Sequence, residues 1–166
     1  MNKKTQQLTQ GALIAAIYAA LCHLQNLLLP GSASWAIQFR VAEALCVLAF
    51  FTPAAIPGLT IGCLLFNLTF AGALPLDPIL GTAASLLSAV AMWLLRKHPL
   101  PGLLMPALFN GLLVGWELAL FIGDSFWLNC LYVALGEAGV LLTLGAILYG
   151  VIRHRHLDQR FFHTSR

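Results

Sequence analysis

Three glutamates and one arginine sit inside apolar stretches of this chain, where charge is costly. Arg40 and Glu43 stand three residues apart in IQFRVAEALCVLAFF (37–51). Glu117 follows Trp116 in GWELAL, and Glu137 lies in VALGEAG. A charge at the centre of a membrane helix costs about 2.5–3.5 kcal/mol on insertion scales, so such residues face the protein interior or a wet cavity. Arg40 and Glu43, at i,i+3, can neutralise each other at the membrane interface, or they can form one wall of a pocket. Glu117 and Glu137 have no cation within one helical turn. Each must find a partner elsewhere in the fold or carry a proton. Asn67 is a further polar side chain in an apolar run. Trp35, Phe39, Trp116, Phe126, Trp127 and Tyr132 can be interfacial belt residues, or can stack on a planar ligand. Asp77 reads as the N-cap of a helix, because LDPI sets a proline at the first helical position after it.

The elements that carry these residues must be membrane helices. Of 166 residues, 60% are hydrophobic and 9% charged, and the mean hydropathy is +0.85. A soluble domain carries about 25% charged residues, so the composition indicates an integral membrane protein. Apolar runs occupy 8–29, 38–51, 54–74, 78–95, 101–122 and 127–152, separated by LLPGSASW, TPAAIPG, AGALPLDP, RKHPLPG and IGDSFW. A lipid-exposed run must satisfy its own backbone, so each is expected to be a helix. The run at 38–51 is short for a perpendicular span of about 20 residues. It is expected to be tilted and partly interfacial, or extended by its flanks.

Basic residues orient the bundle. Lys3 and Lys4, then Arg96 and Lys97, then Arg153, Arg155, Arg160 and Arg166 form three clusters, and Arg40 is the ninth of nine basic residues. Placing all three clusters in the cytoplasm requires an even number of crossings between them. The expectation is an all-α bundle of six transmembrane helices, a single domain over 1–166, with both termini cytoplasmic. In that topology Arg40, Glu43, Asn67, Asp77, Glu117 and Asp124 lie toward the outer side. Glu137 lies about 15 Å below the start of its helix at Trp127. Polar residues thus collect in the outer half, as in a pocket open to the outside and closed below. A pore would carry polar lining to both ends.

No motif for ATP hydrolysis, metal binding or nucleophilic catalysis is present. The four cysteines show no C-x-x-C pair. No catalytic residue, metal, cofactor or nucleic-acid partner is expected. In GALIAAIYAAL, Ala12, Ala16 and Ala20 form a small-residue stripe that packs within the bundle or faces a partner.

The segments 37–68, LDPILGTAASLLSA (76–89) and WELALFIGDSFW…YVALGEAG (116–139) resemble the QueT family. These are substrate-binding (S) components of energy-coupling factor (ECF) transporters, assigned to queuosine precursors. The resemblance covers nearly the whole chain and implies a six-helix S component in a bacterial cell membrane. It implies a transmembrane coupling subunit and two cytoplasmic ATPase subunits as partners, with Ala12, Ala16 and Ala20 docking on the coupling subunit. The implied ligand is a 7-deazaguanine base, in the cyano or aminomethyl form. A carboxylate can accept the adjacent ring N–H and amino group of such a base, and a second can pair with the aminomethyl cation. Glu117 and Glu137 are assigned those roles, with Glu43, held by Arg40, as the substitute. Arg40 or Asn67 would donate to the ring carbonyl, and Trp116 would stack on the base. Alternatives are an S component for another vitamin or nucleobase, a small membrane enzyme with paired carboxylates, and a membrane assembly subunit.

Overall fold

The computed structural model of the chain describes residues 2–32, 39–123 and 125–161. Trp35, Asp124 and Arg166, to which the sequence gives places, lie outside the described residues. Among the described residues all regular structure is helical. Helix α1 spans Lys3–Leu28, and a 3-10 helix spans Val41–Phe50. Helices α2 (Ala55–Thr69) and α3 (Asp77–Leu94) follow. The short α4 (Pro99–Leu103) leads directly into α5 (Met105–Ile122). Helix α6 (Phe126–Val140) continues through a π-helical turn, Leu141–Gly145, into α7 (Ala146–His154), and α8 covers Leu157–Phe161. Each apolar run of the sequence overlaps one of these elements or a continuous set of them, although α2 ends at Thr69, five residues before the end of the run at 54–74. Four stretches are long and apolar enough to cross a membrane: Lys3–Leu28, Asp77–Leu94, Pro99–Ile122 and Phe126–His154. The Val41–Phe50 and Ala55–Thr69 helices are shorter.

The helices pack in the order α1, α2, α3, α5, α6, and the 3-10 helix touches α1, α2, α3, α6, α7 and the π turn. Two seams are closed by glycine. A Cβ on Gly58 would stand 2.8 Å from the Gly11 carbonyl oxygen, and one on Gly62 would stand 2.9 Å from that of Ala15. Across α5 and α6, a Cβ on Gly115 would meet Cys130 Cα at 2.8 Å, and one on Gly111 would meet the Cys130 oxygen at 3.1 Å. No larger residue fits either contact without separating the helices, which is how small residues let membrane helices approach. The two small-residue rows of α1 therefore differ. Gly11 and Ala15 are buried at α2, whereas Ala12, Ala16 and Ala20 are exposed.

The short second run is not an α-helix. Ala42, Glu43, Cys46, Val47 and Ala49 are each 0% exposed, so it is the core of the bundle. A 3-10 helix rises about 2.0 Å per residue, so ten residues cover about 20 Å where an α-helix would cover about 15 Å. Tighter winding lengthens the run, and Arg40 ahead of it is already extended (φ −94, ψ 100).

Candidate functional site

Helical periodicity turns the polar residues inward. Helix α5 buries Asn110, Val114, Glu117 and Leu118, and α6 buries Asn129, Val133, Gly136 and Glu137. Both are i, i+4, i+7, i+8 sets, one face of an α-helix. Helix α1 adds Tyr18, Cys22 and Gln25, α2 adds Cys63 and Asn67, and α3 adds Asp77, Ser85 and Ser88. The faces of α1, α2, α3 and α6 meet around the 3-10 helix, and that of α5 packs on α3 and α6.

Two polar groups result. In one, Glu43 is fully buried, and the Tyr18 hydroxyl donates to its Oε1. The Cys46 thiol donates to Glu43 Oε2 at 3.0 Å. Arg40 is also buried, so both members of the Arg40–Glu43 pair lie in the interior of the bundle. Glu137 lies within electrostatic reach of both Glu43 and Arg40. In the other group, Glu117 Oε1 accepts from the Leu76 backbone N–H at 3.0 Å. Asn67 Nδ2 donates to the Asp77 carbonyl at 2.9 Å. Gly81 makes room for that amide, since a Cβ there would lie 2.8 Å from Asn67 Nδ2. The charge of Arg40 reaches this group as well, through Asp77 and Glu117.

Asp77 does not cap α3. It is the first residue of the helix, and its Oδ2 accepts from Leu74 N–H at 2.7 Å, closing the preceding turn instead. The proline is therefore the second residue of the helix rather than the first, still within the first turn.

Several buried polar atoms have no hydrogen-bond partner among the described residues: both oxygens of Glu137, Glu117 Oε2, Asn110 Nδ2 and Asn129 Nδ2. Buried polar groups in native proteins are nearly always paired, so a cluster of unpaired ones on facing helices marks a place for a ligand or water.

Arg40, Glu43, Asn67, Glu117 and Glu137 are thus all brought into the interior. Trp116 is not. It is 47% exposed, because one residue from the buried Glu117 is about 100° around the helix. That position sets its ring apart from the buried acids to which the stacking role assigns it. Phe39 is 48% exposed and Trp127 is 72% exposed, and Trp127 packs edge-on to Phe126. Four side chains of the interior carried no assigned role in the sequence reading: Tyr18, Gln25, Asn110 and Asn129. Gln25 Oε1 accepts from Val41 N–H at 2.8 Å, and its Nε2 donates to Ser32 Oγ at 2.9 Å and to the Phe39 carbonyl, fixing the entry to the 3-10 helix. The available signal was spacing: Asn110 is seven residues before Glu117, and Asn129 is eight before Glu137.

The family model described as QueT transporter matches residues 8–154 of the chain. No curated protein and no solved structure matches.

Proposed function

The chain belongs to the QueT transporter family, and from that premise, a multi-pass membrane transport protein that is not an enzyme, we propose that it is the S component of an ECF importer. It captures a queuosine precursor, a 7-deazaguanine base in the cyano or aminomethyl form, at the outer face of a bacterial cell membrane. The observation that carries the reading is Glu137, 1% exposed, with neither carboxylate oxygen partnered among the described residues. An acid held this way stands ready for N–H donors supplied by a ligand. Glu117, beside the Asp77 carboxyl, keeps one oxygen without a donor, and Arg40, Glu43 and Asn67 complete the binding set.

In this proposal the chain is one domain over 1–166 that crosses the membrane six times, with both termini cytoplasmic. The basic clusters at Lys3–Lys4, Arg96–Lys97 and Arg153–Arg155 support that orientation. Uptake is driven by a transmembrane coupling subunit and two cytoplasmic ATPases. The exposed Ala12, Ala16 and Ala20 row supports docking to the coupling subunit. It borders an apolar groove of about 330 Å³ between α1 and α2, lined by Leu8, Pro57, Ile61 and Leu65 among others.

The test is calorimetric titration of the purified chain alone, without ATP, with 7-aminomethyl- and 7-cyano-7-deazaguanine. Wild type should bind one or both. A hydrogen bond to a charged group contributes about 1.5–3 kcal/mol, so Glu137→Gln should bind about 10- to 150-fold more weakly. A Glu137→Gln protein with wild-type affinity would remove Glu137 from the site.

A further inference from the structure

Asn110 and Asn129 are 1% and 4% exposed, and the Nδ2 of each has no partner among the described residues. Such an amide weakens a fold unless something else occupies it. The glycine contacts fix where the two lie. Gly115 rests on Cys130, and Gly111 on Cys130 and Ala134. Helices α5 and α6 are therefore antiparallel, with Asn129 level with Gly115–Trp116, about 3 Å along the axis from Glu117, and Asn110 level with Leu135, about 3 Å along the axis from Glu137. On the buried faces of α5 and α6 each amide thus lies near the level of an acid of the facing helix, Asn129 near Glu117, which keeps one oxygen without a donor, and Asn110 near Glu137, which keeps two, and none of these atoms is bonded to another. An unbonded donor and acceptor at one level of a buried seam are complementary to a molecule between them that accepts from one and donates to the other.

We infer that Asn110 and Asn129 are ligand-reading residues whose amides donate to acceptor atoms of the transported molecule. This rests on the proposed binding role of the interior. It adds a requirement on the cargo, which must present hydrogen-bond acceptors, such as a carbonyl or ring nitrogen, beside the N–H donors that the carboxylates take. A ligand with donors alone leaves both amides stranded.

The experiment uses the full chain in lipid nanodiscs, with Asn110→Leu and Asn129→Leu as near-isosteric variants. Alanine variants serve where the leucine protein does not accumulate. Titration with 7-aminomethyl- and 7-cyano-7-deazaguanine and thermal unfolding without ligand are measured on each. Loss of one neutral hydrogen bond gives about tenfold weaker binding. The unliganded unfolding temperature should stay the same or rise, because an unpaired buried amide has been removed. Wild-type affinity in a variant would strike that residue from the set. An unfolding temperature that falls with affinity would assign the amides to the fold and overturn the inference. If wild type binds neither base, the deazaguanine reading fails, and the unliganded unfolding decides alone. Unchanged or higher values keep the amides as unpaired recognition groups, and lower values overturn them.

Discussion

Tyr18→Phe tests the centre of the interior directly. The Tyr18 ring is 0% exposed and its hydroxyl donates to Glu43 Oε1. Phenylalanine fills the same volume, so the change removes a hydrogen bond and opens no cavity. A hydrogen bond to a charged group contributes about 1.5–3 kcal/mol. The second Glu43 oxygen keeps Cys46 Sγ at 3.0 Å, so Glu43 is not stranded and the lower half of that range applies, about 2 kcal/mol. For a chain of this length that corresponds to an unfolding temperature about 4–8 °C lower. The assay is a double-mutant cycle of Tyr18→Phe with Glu43→Met, followed by thermal unfolding of the purified protein. Replacing both partners by apolar near-isosteres is close to neutral, so the double variant should recover most of the summed loss, a coupling of about 2 kcal/mol. Tyr149→Phe is the control. Its hydroxyl accepts from the exposed Arg153 at 3.3 Å, and its removal should cost less than about 0.5 kcal/mol. A Tyr18→Phe loss no larger than that of Tyr149→Phe, or a coupling below about 0.5 kcal/mol, would refute the Tyr18–Glu43 contact as an organising bond of the site.

Three further outcomes follow from contacts elsewhere. Gly62→Ala would force a Cβ to 2.9 Å from both the Ala15 oxygen and Tyr18 Cβ, and should cost about 1–3 kcal/mol in unfolding measurements. Gly150→Ala, where nothing lies within 4 Å, should be neutral or better, and equal effects at the two sites would contradict the α1–α2 seam. Trp116→Leu should leave ligand affinity within about twofold, since the ring is 47% exposed on the outer face of α5, and a hundredfold loss would return it to the site. Ala16→Leu should leave binding by the chain alone intact but abolish uptake in cells that carry the ATPase module. Wild-type uptake would dismiss the exposed stripe as the docking row.

The sequence made the helical elements and the inward acids legible for the same reason. In an apolar chain a helix-length run has one backbone solution, and a charge has few places to go. Arg40, Glu43, Asn67, Glu117 and Glu137 accordingly lie inside. Residues judged by proximity along the chain were placed less well. Trp116 was grouped with Glu117 because it is adjacent, yet adjacency on a helix means different faces. Asn110 and Asn129 share faces with the acids at i+7 and i+8 spacing, and that periodicity, applied to polar residues as well as apolar ones, would have found them. At Asp77 two local bonds compete, and the N–H of Leu74, three residues earlier, takes the side chain that a cap would use.

What no pattern in the sequence announces is the winding. The 3-10 helix at Val41–Phe50 and the π turn at Leu141–Gly145 are the two departures from α geometry near the acids, and they pack on each other, Gly145 facing Val47 Cγ2. Their hydrogen bonds are poorer than those of an α-helix, so local propensity does not favour either. The fold gains position from both. Tight winding carries Glu43, the third residue of its helix, into the centre while its run still spans about 20 Å. Wide winding begins four residues after Glu137 and resets the phase of α7, so Glu137 can face the core without obliging the tail to do so. The exposed Ile147 and Val151 of α7 are consistent with that reset. Irregular backbone is expected where a site has been built at the expense of regularity. On the proposed reading of the interior, the paired irregularities at Glu43 and Glu137 therefore argue for a binding centre beside the 3-10 helix, with the buried faces of α5 and α6 as its second wall.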